Sequence, residues 1–265
     1  MPVPYGRTVR TAYLDHPGPL ALAHRGFSAA EPENSMAAFA AAVALGFRYV
    51  ETDVHATSDG VAVAFHDETL DRVTDGSGRV ARLPWSTVSR ARIAGTQPIP
   101  RLDDLLGAWP DLRVNIDVKA AQAVGPLVEA VERTRAHDRI CVASFSDARR
   151  RAVERALSRP VATSAGTTTA ARFRLAVAAR RPGAAAAALG AVDGLQVPER
   201  HRRLPVVTEA TVAAAHAAGR FVHVWTVNHP ADMARLLDLG VDGIVSDRAD
   251  LLREVLVARG AWFGA

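Results

Sequence analysis

Lysine is nearly absent from this chain: Lys119 is the only one, and the remaining 31 of its 32 basic residues are arginine. An excess of alanine and arginine points to a GC-rich genome, and such a bias depletes lysine without explaining why one stays. Cysteine is equally scarce. Cys141 alone excludes a disulfide framework and fits a reducing compartment. It stands in the apolar run "ICVASF" with no Cys/His pattern around it, so a small core residue is expected. Long apolar runs are missing too: "MAAFAAAVALGF" and "GAAAAALGAV" are too short for a membrane span. The opening "MPVPYGRTVRTAYLDHPG" has no apolar segment of the secretory kind. These absences lead us to expect a soluble, cytoplasmic protein with no stable membrane anchor. Net charge is small, +4, and neither aromatic interleaving nor a nucleic-acid motif accompanies the arginine clusters. Arg149-Arg150-Arg151 and His201-Arg202-Arg203 are therefore expected on solvated helix faces, with no nucleic acid as partner.

What the chain does have is enough apolar material, 49% of 265 residues, to bury the core of one α/β barrel domain spanning 1–265. Strand-like runs fall at 20–24, 48–54, 61–65, 112–118, 140–145, 160–164, 192–197, 221–227 and 241–245. Helical segments fall at 35–46, 102–108, 122–136, 147–157, 170–180, 208–218, 230–239 and 248–258. Asn34 or Ser35, Asp147 and Thr208 are candidate helix caps. The β-then-α rhythm predicts a parallel sheet with helical crossovers. One strand is surplus to eight. Only a few residues separate 48–54 from 61–65, whereas a parallel crossover needs about a dozen. Asp59-Gly60 is a hairpin signal, and a two-residue turn there sets Asp53 opposite His66. Eight parallel strands remain, giving a TIM (β/α)8 barrel. Residues 67–110, after the His66-Asp67 strand, form a small insertion over the barrel mouth.

Polar residues collect where strands end, which is where barrel enzymes place their chemistry. Residues two apart share a strand face, so Glu51 pairs with Asp53, and Asn115, Asp117 and Lys119 lie together. Side-by-side carboxylates repel unless a proton or cation lies between them. With Asp117 added, three oxygen donors suit a hard cation such as Mg²⁺ or Ca²⁺. A strand-end carboxylate taken alone is better explained by solvent or a partner. Most of the histidines fit incidental positions: His16, His137, His201 and His216 lie in loops or on helix faces without partners. His223 and His229 are expected to pack or face solvent, and His55 to support a neighbour. His24 and His66 differ, since each ends an apolar strand beside Arg25 and Asp67 respectively. Two histidines with a cation point to proton transfer at a phosphate-like centre.

These motifs resemble one family. "AHRGFSAAEPENSMAAF", "ETDVHATSDGVAVAFHD", "IPRLDDLL", "NIDVK", "SF", "WTVN" and "GVDGIVSD" occur in the order of the glycerophosphodiester phosphodiesterases, over about residues 20–250. The resemblance implies metal-dependent hydrolysis of small glycerophosphodiesters to sn-glycerol 3-phosphate and an alcohol. It implies His24 and His66 as the acid/base pair, Glu51, Asp53 and Asp117 as ligands of Mg²⁺ or Ca²⁺, and Arg25 and Lys119 as phosphate contacts. Trp225 and Asn228 are candidate pocket residues. The family pattern usually has glutamate where this chain has Asp117, which favours a bridging water or a larger cation. The attacking group is either the substrate's own 2-hydroxyl or a water. Two rivals remain. A lysophospholipase D would need an apolar groove from Trp85, Trp109, Phe27 or Trp225. An inactive barrel would only bind phosphorylated ligands.

Overall fold

A computed structural model describes residues 11–263. Its eight parallel strands are β1 (Leu20–His24), β2 (Tyr49–Ala56), β4 (Arg113–Val118), β5 (Ile140–Ala143), β6 (Ala162–Thr163), β7 (Gly194–Pro198), β8 (Phe221–Trp225) and β9 (Gly243–Ser246). They run in the order β6-β5-β4-β2-β1-β9-β8-β7, and a parallel bridge from Ser164 to Gly194 joins the two ends into a barrel. The surplus strand, β3 (Ala62–Ala64), pairs antiparallel with the end of β2. Helices occupy all eight expected segments within a few residues at each end. An unexpected one covers Pro182–Leu189, entered through a proline in its first turn, where the missing N–H is not needed. No helix among the described residues is long and apolar enough to cross a membrane.

The period of two along each strand divides the core. Val50, Val54, Val114, Ile116, Val142, Val222 and Ile244 face outward into one cluster with the surrounding helices. Tyr13, Leu20, Leu22, Tyr49, Cys141, Ala162, Phe221 and Val245 fill the lower interior. Of these, Leu20, Leu22, Phe221 and Val245 each contribute about 1.5–3 kcal/mol on burial. Above this floor the interior turns polar. Gln196 Nε2 donates to Asn115 Oδ1 (2.8 Å), and Ser164 Oγ donates to Gln196 Oε1 (3.3 Å). His223 is buried here and stacks on Phe221 with ring centroids 4.1 Å apart. Two glycines make room for that stack: a Cβ on Gly194 would lie 2.2 Å from the Phe221 ring, and one on Gly243 2.8 Å from His223.

Several local expectations are corrected. The hairpin pairs Val54 with Ala64 and Ala56 with Ala62, so Phe65, not His66, faces Asp53. The turn has three residues, Ser58-Asp59-Gly60, with Gly60 at φ +82°, which shifts the register by one. Ser35 caps the first helix, accepting from Ala38 N at 3.1 Å. Ser146 caps the helix Asp147–Ala156, while Asp147 accepts from Gly166 N and Thr169 N at the start of the next one. Thr208 caps as expected. Of the arginine clusters, Arg150 is buried beside Glu154 and Arg149 reaches the Lys119 carbonyl, leaving only Arg151 solvated. His201-Arg202-Arg203 lies on an exposed two-stranded ribbon, Arg200–His201 with Leu204–Pro205, and not on a helix. His16, His137 and His216 do have partners: Gly18 O, Glu132 and Asp242. Between β3 and Ile99, Val63, Phe65, Leu70, Val80, Val88, Ala91, Ile93 and Ile99 form a separate small core. Leu102, Leu105 and Leu106 rejoin the main one.

Candidate active site

Strand register assembles the site. His24 pairs with Glu51 across β1 and β2, and Asp53 with Asp117 across β2 and β4. All four belong to the inward-facing set at the C-terminal end of the barrel. Immediately after β1 the chain turns sharply, with Arg25 at φ 54° and Gly26 at φ 81°. Glycine is required there, because a Cβ would meet the Ala38 backbone at 2.5 Å. The turn brings Arg25 N to 3.2 Å from Glu51 Oε2, and its guanidinium Nε to 3.1 Å from Asp53 Oδ2.

The carboxylates are buried and crowded. Lys119 Nζ lies 2.8 Å from Asp53 Oδ1 and 2.7 Å from Asp117 Oδ2, bridging the two. Burial alone would raise the Asp53 pKa, but Lys119 and Arg25 outweigh it and hold that carboxyl below its ordinary value. Glu51 has no such pair of cations. Burial, with Asp53 and then Asp117 adding repulsion, pushes it up to about 7. Asp117 is also raised, by burial, despite its lysine. The Lys119 ammonium is stabilised by both aspartates more than burial penalises it. Asp117 Oδ1 is buried with no hydrogen-bond partner.

The two histidines share one arrangement. His24 Nδ1 lies 2.6 Å from Asp247 Oδ1, and His66 Nδ1 lies 2.6 Å from Asp67 Oδ1. In each, the carboxylate fixes the ring and leaves Nε2 for other partners. His24 Nε2 stands 3.8 Å from Glu51 Oε2. Burial lowers the His24 pKa, but the Asp247 hydrogen bond and the Glu51 charge reverse that, and the net shift is upward. Asp247 is held down at about 2, its burial overcome by His24 and Asn228, and Asp67 sits at about 2 chiefly through Arg72. His55 Nε2 contacts the His66 carbonyl at 3.1 Å, so it supports that turn.

Trp225 and Asn228 part company. Trp225 is half-buried at the mouth, edge-on to the exposed Phe145 ring at 5.7 Å. The Asn228 amide is committed to Asp247: Nδ2 donates to Oδ2 at 2.8 Å and Oδ1 accepts from Asp247 N at 3.0 Å. Trp85 packs on the small core, and Phe27 and Trp109 on the main one. Sequence reasoning passed over Asp247, although the period of two through Val245 brings it to the inward face. Asn34, by sequence a candidate cap, has another role. It is buried, donating to Asp53 Oδ2 (3.3 Å) and accepting from Thr52 Oγ1 (2.7 Å), and no periodicity signals that role.

No group of three His, Cys, Asp or Glu side chains among the described residues is arranged to hold a metal ion, and the Lys119 ammonium lies between Asp53 and Asp117. The donor chemistry still suits a hard divalent cation. Three carboxylates adjoin, one buried oxygen lacks a partner, and burial with the charges of Asp53 and Asp117 raises the Glu51 pKa despite His24 and Lys119.

Residues 24–251 match the family described as glycerophosphoryl diester phosphodiesterase. The chain belongs to that family. It is therefore an enzyme of the phosphoric diester hydrolase class. A probable glycerophosphodiester phosphodiesterase 2 of Mycobacterium tuberculosis is 51% identical over 257 residues, covering 96% of each chain. The glycerophosphodiester phosphodiesterase of Caldanaerobacter subterraneus is 29% identical, over 88% of this chain and 96% of its own. A Silicibacter pomeroyi structure of a protein described as a glycerophosphoryl diester phosphodiesterase shares the barrel. Its TM-score is 0.77 at 24% identity, covering 94% of this chain and 98% of that one. An Oleispira antarctica phosphodiesterase, solved with its product sn-glycerol-3-phosphate, has a TM-score of 0.74 at 23% identity, covering 91% and 97%.

Proposed function

We propose that the chain hydrolyses small glycerophosphodiesters to sn-glycerol 3-phosphate and an alcohol, using His24 and His66 as its acid/base pair. The observation that carries this is the matched pair of Nδ1–carboxylate contacts, 2.6 Å each, which leave both Nε2 atoms free of those carboxylates, that of His24 3.8 Å from Glu51 Oε2. One imidazole takes the proton of the attacking hydroxyl, and the other protonates the leaving alkoxide. Positioned acid/base groups of this kind contribute about 10²–10⁴-fold in rate. Either attacking hydroxyl, the substrate's own or that of a water, calls for the same pair.

Glu51, Asp53 and Asp117 would hold the divalent metal, Mg²⁺ or Ca²⁺. When bound, it supplies positive charge for a phosphoryl oxygen. Arg25 and Lys119 flank these carboxylates and would contact the same phosphate. The small core between β3 and Ile99 would wall one side of the mouth, as an insertion within a single barrel domain. A cytoplasmic setting fits a cysteine buried in the barrel floor.

A second substrate reading has its own support. Phe145 is 55% exposed beside Trp225, an apolar edge that an acyl chain could line. Rates on glycerophosphocholine, glycerophosphoethanolamine and a lysophospholipid separate the two. Faster release of glycerol 3-phosphate from the soluble diesters supports the proposal; a preference for the lysophospholipid moves the assignment to a lysophospholipase D. No turnover of any of them would leave a phosphate-binding barrel.

A further inference from the structure

One side chain of the insertion touches both halves of this site. Leu70 is buried in the small core and anchors a turn in which Thr74 N donates to Leu70 O at 3.1 Å. The turn extends Arg72 toward the barrel. Its Nη2 donates to Asp67 Oδ1 at 3.0 Å and to Glu33 Oε1 at 2.7 Å. Nε adds a second contact to Asp67, at Oδ2 and 2.5 Å, and Nη1 a longer one to Glu33 Oε2 at 3.4 Å. The two oxygens that share Nη2 each lead on to the site. Asp67 Oδ1 is the partner of His66 Nδ1 at 2.6 Å, and Glu33 Oε1 accepts from Arg25 Nη1 at 3.0 Å. Contacts run along the line His66–Asp67–Arg72–Glu33–Arg25–Asp53, with anion and cation alternating from Asp67 onward.

We propose that Arg72 is a positioning residue that sets His66 through Asp67 and Arg25 through Glu33, locking the proton-transfer arm and the phosphate-contacting arm to one guanidinium. This deepens the proposed function and rests on its assignment of His66 and Arg25. Arginine suits this place because its planar fork makes four contacts to Asp67 and Glu33 from three nitrogens, whereas a lysine offers a single nitrogen on a flexible stem. Alternative explanations are weaker. Arg133 and Arg235 also meet two carboxylates each at the surface, but the two clamped by Arg72 lead on inward, to His66 and to Arg25. The residue is about half exposed, so it contributes little to folding as an isolated pair, and its effect is expected on turnover.

The test is a set of kinetic cycles on glycerophosphocholine with Arg72→Gln, Asp67→Asn and Glu33→Gln, singly and in pairs, with thermal unfolding followed in parallel. Misplacement of a reacting group by about 1 Å costs up to about 10²-fold, so Arg72→Gln is expected to lower kcat/KM by about 10- to 100-fold. In the Asp67→Asn background the remaining effect of Arg72→Gln should appear in KM alone. In the Glu33→Gln background it should appear in kcat alone. Arg72→Lys, which keeps the charge without the fork, should recover part of the loss, and it replaces Arg72→Gln in the cycles if that variant unfolds. Activity of Arg72→Gln within twofold of the parent overturns the proposal. So does a loss of equal size in all three backgrounds, which a merely structural role would give. His66→Ala and Arg25→Ala serve as controls: if they keep full activity, the assignment of those two residues fails, independently of Arg72.

Discussion

Replacing Lys119 with methionine removes the one ammonium lying between Asp53 and Asp117. The side chains of those aspartates are 3% and 12% exposed, and Lys119 is 18% exposed, so solvent does little to replace the lost charge. Breaking a buried pair costs about 3–5 kcal/mol. The lower end applies here, because Arg25 still stands 3.1 Å from Asp53 and Asp117 can take up a proton. For a chain of this length about 3 kcal/mol corresponds to a fall of about 6 °C in the unfolding midpoint. A divalent ion at the three carboxylates would replace the missing charge, and at a hundredfold excess over its Kd would return about 2.7 kcal/mol. Calorimetry of the metal-free variant, then with Mg²⁺ or Ca²⁺ added, reads both effects. A variant as stable as the parent without metal would refute the charge argument. One that metal fails to restore would refute the ligand assignment. Lys119→Arg keeps the charge and should leave stability nearly intact while lowering turnover more than tenfold, since a broad fork replaces a slim cation.

Two further outcomes follow from buried groups. Glu51, raised to about 7 from 4.5 by burial and its neighbours, keeps its proton in the folded chain longer than in the unfolded one, so its contribution is lost as pH rises through that range. Asp117 and His24 are raised too and act in the same sense, whereas the lowered Asp53 and Asp247 have given their full contribution by pH 5. His16 and His55, lowered by burial, act in the opposite sense as pH rises toward 6.5, so the test is the difference between variants: in denaturant titrations of metal-free protein, Glu51→Gln should gain stability relative to the parent as pH rises from 5 to 8, and a constant difference would contradict this. Gly194→Ala places a methyl 2.2 Å from Phe221 and should cost about 1–3 kcal/mol in chemical denaturation, with no change there if the floor can relax.

Much of this architecture was legible because alternation leaves a strong trace. Leu20, Leu22 and His24, or Tyr49, Glu51 and Asp53, announce both a barrel interior and its reactive rim. The surplus strand betrayed itself by a gap too short for a crossover. The missed features are those that alternation does not encode. Gly60's left-handed backbone turned a two-residue loop into three and moved His66 by one position. Glu33, Asn34 and Arg72 lie in loops, and their partners are set by how those loops fold over the rim. The short ribbon at His201 looks like a helix face in charge pattern alone. Asp247 was within reach, since the rule that found Asp53 also applies to β9.

His24 and His66 are proposed to act together over a metal-dependent carboxylate cluster. This is tested most directly by following glycerophosphocholine hydrolysis by phosphorus NMR in the parent, His24→Ala and His66→Ala, each with chelator and with metal restored. Rapid growth of a glycerol 3-phosphate signal is expected in the metal-restored parent, with each variant slowed at least about 10²-fold. Full turnover in either histidine variant, or in the chelated parent, would contradict it.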